Sequence, residues 1–104
     1  MILIIGGYAQ GKRKYAKEKY PDRPLSENLA ELFRESSGAE KEVRDFISDN
    51  PDAVIISDEV GSGVVPMEKS ERDYRERLGR FLCELASEAE SVERVFCGIG
   101  ARIK

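Results

Sequence analysis

The chain has 104 residues, 36% of them charged and 40% apolar, with a net charge of −3 and no histidine. That length predicts one domain, spanning 1–104, with a single modest core and a heavily ionic surface. The negative balance argues against a dedicated nucleic-acid partner, and the missing imidazole excludes histidine bases, histidine nucleophiles and the usual zinc sites.

The two cysteines, Cys83 and Cys97, form no CxxC pair, and the apolar start at residues 2–5 is far below the ~20 residues of a membrane span. Reduced thiols, no leader and no span predict a cytoplasmic protein without a membrane partner. In chain order, residues 2–5, 53–56 and 92–96 are short Ile/Val-rich runs, the pattern of strands buried on both faces of a parallel sheet. Residues 12–20 predict a helix that Pro21 ends, and residues 26–34 a weaker one with Leu29, Leu32 and Phe33 on one side. Ser37 and Glu40 fit a capping box ahead of the stripe Ala39, Val43, Phe46 and Ile47, which Asn50 and Pro51 stop. Ser70 and Asp73 make a similar cap before Tyr74, Leu78, Phe81, Leu82, Leu85 and Ala89. A last short strand is expected at residues 102–103. Strands alternating with helices imply right-handed crossovers and helices on both faces. So small a sheet leaves exposed edges, which predicts a homo-oligomer.

The strongest local signal is Gly6-Gly7-Tyr8-Ala9-Gln10-Gly11-Lys12-Arg13, in which Gly6, Gly11 and Lys12 match G-x-x-x-x-G-K between a strand and a helix. Glycines let consecutive N–H groups curl inward around a phosphate, the helix start adds a partial positive charge, and Lys12 adds a full one. The motif departs at Arg13, where a Ser or Thr hydroxyl normally holds Mg²⁺. Either other groups hold the metal, or Arg13 replaces part of its charge, or turnover is lost. Lys12, Arg13, Lys14, Lys17 and Lys19 crowd the same helix, and cations in a first turn cost about 0.3–1 kcal/mol each. A bound polyanion would offset that cost; a merely solvated basic face is the plainer alternative.

The second loop follows an apolar strand that ends in Asp58 and Glu59. In a Walker B role Asp58 would hold the metal and Glu59 would polarise a water or hydroxyl; acids at a strand end are also commonly just solvated. The run Ser57-Asp58-Glu59-Val60-Gly61-Ser62-Gly63-Val64-Val65-Pro66 resembles the S-N-E-V-G-x-G-I-V-P signature of the adenosylcobinamide kinase / adenosylcobinamide-phosphate guanylyltransferase family. Arg72, Tyr74, Arg75, Glu76, Gly79, Leu85 and Ala86 are similar to that family's R-x-[FY]-R-[DE]-x-x-G helix. Val95-Phe96-Cys97-Gly98-Ile99 and Lys104 resemble its final strand and end, and the glycine loop its G-G-x-x-S-G-K-S opening, with Gln10 and Arg13 as departures.

The resemblance implies a P-loop NTPase-like three-layer α/β sandwich with a small, mainly parallel sheet. It also implies a nucleotide-dependent transferase of cobalamin assembly that binds ATP or GTP and a corrinoid, and that self-associates. Mapped onto this chain, Lys12 and Glu59 take the catalytic positions and Asp58 the metal position. Gly6, Gly7, Tyr8, Ala9, Gln10, Gly11, Lys12 and Arg13 take the phosphate-binding positions. The family carries a histidine that becomes guanylylated; residues 21–52 stand in its place here and hold none, so guanylyl transfer by that route is not expected. Asp58 replaces the family's Asn and Leu82 stands where Asn is frequent. The readings left open are a nucleotide-binding kinase-like protein, a non-catalytic relative that binds a nucleotide or corrinoid and regulates or assembles with a partner, and a binder of another polyanion.

Overall fold

The structure is a computed structural model that describes residues 1–27, 29–59 and 68–104. Residues 60–66 of the E-V-G-x-G-x-V-P element, and Asn28 of the expected second helix, lie outside the described residues.

The elements run β1 (Ile2–Gly6), α1 (Lys12–Lys19), β2 (Leu25–Ser26), α2 (Leu29–Glu35), α3 (Ala39–Asp49), β3 (Val54–Asp58), α4 (Lys69–Glu88), β4 (Ser91–Phe96) and β5 (Ile99–Arg102). They build one sheet in the order β2-β3-β1-β4-β5. The first four strands are parallel, and β5 closes an antiparallel hairpin on β4. The central strand β1 pairs in register with β3 (Ile2 with Val54) and with β4 (Ile2 with Ser91).

Because strand side chains alternate, each apolar run feeds two cores. Ile2, Ile4, Val54, Ile56 and Val95 pack beneath α1 around Ala16. Leu3, Ile55 and Val92 face the other way, against Leu29 and Phe33 of α2, Val43 of α3, and Leu78, Phe81 and Leu85 of α4. Phe33 and Phe81 stack with ring centroids 5.2 Å apart. The result is a three-layer α/β sandwich with α1 on one face and α2, α3 and α4 on the other. The chain steps from β1 to β2 across the first face and back from β2 to β3, then on to β4, across the second, as one crossover hand requires.

Four expectations change in detail. Residues 26–34 are not one helix: Leu25 and Ser26 pair with Val54 and Ile55 as an edge strand, and the helix begins at Leu29. The free edge of β3 offers ladder partners that outweigh the weak helical pattern; Pro24 joins in by accepting the N–H of Val54 at 2.8 Å. Neither Ser37 nor Ser70 caps its helix. Gly38 and Glu68 occupy those places, without side-chain caps, and Ser36 Oγ accepts the Gly38 N–H at 3.1 Å. The last strand covers Ile99–Arg102, because Cys97 (φ 52°) and Gly98 (φ 75°) adopt the left-handed pair of a tight hairpin turn.

Candidate phosphate-binding site

The glycine loop leaves the C-terminal end of β1 and enters α1, beside the C-terminal end of β3. Ala9 (φ 56°) and Gly11 (φ 87°) take left-handed backbone conformations that curl the loop. Gly6 lies so close to β4 that a methyl group there would stand 2.5 Å from the Val95 carbonyl oxygen and 3.2 Å from Lys12 Cδ. Only glycine permits that approach. Among the described residues, no protein acceptor takes the backbone N–H groups of Gly7, Tyr8, Ala9, Gln10, Gly11 or Lys12.

A cavity of about 610 Å³ opens beside this loop, a size at which small-molecule sites are usual. Its walls include Tyr8, Gly11, Lys12 and Arg13 from the loop and α1, Asp58 from β3, and Glu27 and Glu31 from the segment around α2. Lys12 is 8% exposed, and a buried ammonium needs partners. Among the described residues it has two: Nζ donates to the Gly7 carbonyl oxygen at 2.6 Å and lies 2.7 Å from Asp58 Oδ1. The structure therefore brings the loop, Lys12 and Asp58 together.

It does not bring Glu59 there. Glu59 anchors the chain through its N–H, which donates to the Gly6 carbonyl oxygen at 2.8 Å, but its carboxylate faces a separate apolar cavity with Leu82, Cys83 and Ile103. Arg94 grips it with two bonds, Nε to Oε1 at 2.6 Å and a terminal nitrogen to Oε2 at 3.1 Å. Arg13 borders the cavity beside the loop but pairs with Glu27 Oε2 at 2.9 Å, and Lys17 reaches the same carboxylate at 3.5 Å. Tyr8 is 85% exposed at the cavity wall.

Two anchors hold the loop and its helix, and sequence reading found neither. Gln10 Oε1 accepts the N–H of Cys97 at 2.8 Å, and the Gln10 carbonyl oxygen accepts the N–H of Gly98 at 2.8 Å. Glu93, fully buried on β4, collects Tyr15, Tyr20 and Lys19 of α1 and its C-cap, with Lys19 Nζ at 2.6 Å from Oε1. Burial by itself would raise the Glu93 carboxyl; the donors Lys19, Tyr15 and Tyr20 outweigh it and hold the group below the ordinary carboxylate range. Burial, then the carboxylate, pushes both phenols up. The hydrogen bond to Glu93 holds the Lys19 ammonium above its ordinary value. A signal for this clamp was present: a lone acid inside an apolar strand run needs partners, and α1 carries donors at 15, 19 and 20.

As for a metal, Asp58 brings one carboxylate to the loop and already shares Oδ1 with Lys12, while the helix position after Lys12 offers no oxygen. Among the described residues no three of His, Cys, Asp and Glu cluster as a metal site. The donor set fits a cation carried mainly by phosphate oxygens, with Asp58 as its protein carboxylate. Also among the described residues, no helix is long and apolar enough to cross a membrane.

Layer order and site placement define a P-loop-type α/β protein with a cavity at the carboxyl ends of its central strands. A sequence profile of the cobinamide kinase / cobinamide phosphate guanyltransferase family matches residues 25–103, and the chain belongs to that family. It is 41% identical over 51 residues to the bifunctional adenosylcobalamin biosynthesis protein CobU of Escherichia coli (strain K12), and equally to that of Salmonella typhimurium (strain LT2). Each match covers 49% of this chain and 28% of the relative. The profile begins after the glycine loop, so the reading of residues 6–13 rests on their own chemistry and geometry.

Proposed function

We propose that the cavity between the glycine loop and the end of β3 binds the phosphate chain of ATP or GTP, and that the chain serves the nucleotide-dependent chemistry of its family on a corrinoid. The observation that carries this is Lys12. It is a nearly buried ammonium whose carboxylate partner sits at the wall of a cavity lined by a loop whose amides, among the described residues, have no protein acceptor. A phosphoryl group would take the place of the Asp58 carboxylate at Lys12 Nζ while accepting from the loop N–H groups. Asp58, so released, is the residue that would hold Mg²⁺; when bound, the ion would neutralise charge on the phosphates. In this reading Gly6, Gly7, Tyr8, Ala9, Gln10, Gly11, Lys12 and Arg13 form the binding segment and Lys12 stabilises the transferring group. Glu59 would act as base only after release from Arg94.

A non-catalytic binder is the second reading, and two contacts favour it: Glu59 is committed to Arg94, and Arg13 to Glu27. Guanylyl transfer through a histidine has no residue to run on in this chain. Calorimetric titration of ATP and GTP with and without Mg²⁺ separates the readings. Metal-dependent binding with phosphate transfer to cobinamide supports the kinase. Metal-independent binding lost in Lys12→Ala supports the binder. No binding of either nucleotide ends both.

Self-association belongs to the same proposal. Phe96, Ile99 and Ile103 are each at least 60% exposed along the β4–β5 hairpin, and β5 is an edge. Light scattering on a sizing column should give a mass above one chain; a monomer at every concentration would refute it.

A further inference from the structure

Gln10 stands where the glycine-loop pattern usually carries a small residue, and although it borders the cavity both of its oxygens are taken by the β4–β5 turn. Its side-chain oxygen is filled by the Cys97 N–H and its carbonyl oxygen by the Gly98 N–H, both at 2.8 Å. These two donors are the central residues of the β4–β5 turn, each at positive φ. The contact is close all along: a methyl group on Gly11 would stand 3.2 Å from Gly98 Cα.

From this geometry we infer that Gln10 is a positioning residue that latches the glycine loop to the β4–β5 turn and thereby aims the Gly11 N–H at the bound phosphate. The reason lies in the peptide plane. A trans peptide points its C=O and the following N–H in opposite directions. With the Gln10 carbonyl directed at Gly98, the Gly11 N–H must point away from the turn, toward the side on which Gly11 lines the cavity. The side chain holds the turn at the distance that makes this orientation the resting one. The donors are therefore in place before the anion arrives, and binding avoids the entropy of ordering them. It follows that the β4–β5 turn is coupled to occupancy of the site. The inference rests on the phosphate reading of the loop, and the experiment separates the two.

The test is ¹⁵N-resolved NMR of the full chain titrated with inorganic pyrophosphate, in the natural sequence and in Gln10→Met, which keeps the length and removes the acceptor. In the natural chain the amides of Gly11, Cys97 and Gly98 should shift together. Exchange of the Cys97 N–H with solvent should slow about fivefold or more on saturation, as expected when an opening equilibrium is suppressed. Gln10→Met should bind about tenfold more weakly and its Cys97 amide should no longer follow the titration, while core amides keep their positions. Equal affinity in Gln10→Met overturns the latch and leaves the phosphate site standing. Should that variant fail to fold, exchange in the natural chain decides: an unprotected Cys97 beside a shifted Gly11 overturns the latch. If pyrophosphate shifts nothing in the natural chain, the phosphate reading falls and takes the latch with it.

Discussion

Lys12 and Asp58 are each other's counter-ions at 2.7 Å, although the lysine is nearly buried and the aspartate is 42% exposed. The asymmetry matters. Asp58 can turn to solvent at little cost, whereas Lys12 cannot lose its partner without leaving a buried charge unpaired. In the proposed site an incoming phosphate would therefore compete with Asp58 for one ammonium group.

That competition has a measurable sign. Asp58→Asn removes the competing charge while keeping the shape, so metal-free pyrophosphate should bind about three- to tenfold more tightly, a gain of up to ~1.4 kcal/mol. The same substitution should abolish any improvement that Mg²⁺ gives the natural chain, since the carboxylate paired with Lys12 is gone. Isothermal calorimetry in paired buffers checks both halves. Weaker metal-free binding in Asp58→Asn would mean that the carboxylate supports the anion site instead of competing with it.

Arg13 offers a second handle. It reaches Glu27, and its position would otherwise carry a hydroxyl for a cation. Arg13→Ser should raise the dependence of nucleotide affinity on Mg²⁺, and weaken metal-free binding by a few-fold through the lost charge. The ion pair itself is exposed on the arginine side, so stability should change by less than about 1 kcal/mol. Calorimetry that registers no change in metal dependence would show that Arg13 does not border the phosphates.

Much of this architecture was legible because the apolar runs of β1 and β3 are buried on both faces and leave little ambiguity; β4 follows the pattern at Val92 and Val95 but leaves Phe96 exposed. Legible too was the stripe of α4, where Tyr74, Leu78, Phe81 and Leu85 are all buried. That the loop and Asp58 lie together was legible because they stand at the ends of strands that pair in one parallel register. The helix starts and the last strand were shifted by local turns, and the rest of what escaped is set by contacts across long sequence separations. Leu25 and Ser26 are strand only because β3 lies beside them. Gln10 looked like a defect in the motif because its partner, Cys97, is 87 residues away. Adjacency to Asp58 says nothing of which face Glu59 takes, and its pairing with Arg94 was not legible in the sequence.

Gly6 tests the close approach of loop and sheet. A methyl group there meets a main-chain oxygen of β4, which cannot rotate away, as well as the stem of Lys12. Gly6→Ala should cost about 1–3 kcal/mol, the usual range for overpacking, and should weaken phosphate binding by shifting Lys12. By contrast Gly7→Ala would meet only Gln10 Cγ at 3.5 Å, an ordinary contact, and should be far milder. Urea unfolding of the two variants checks the order; equal stabilities would show that the β1–β4 approach is looser than described.

Glu93 makes the pH prediction. Its carboxyl is held below its ordinary range, so the stabilisation it gives is complete above the unfolded-state value and is lost as pH falls through the folded-state value. Lys19, held above its ordinary value by the same contact, keeps its proton throughout the acid range, so its own titration adds no pH dependence there. Glu93→Gln leaves the Tyr15, Tyr20 and Lys19 donors facing an amide in a fully buried place, and should cost about 1–3 kcal/mol at neutral pH. For a domain of this size that is roughly 4 °C or more in melting temperature. The gap between natural chain and variant should narrow as the pH is lowered from 6 toward 3, because the protonated acid and the amide are alike in charge. Since α1 carries the loop at its other end, the variant should also weaken pyrophosphate binding at neutral pH. Unfolding curves that run parallel across that range would show that the clamp does not titrate with Glu93.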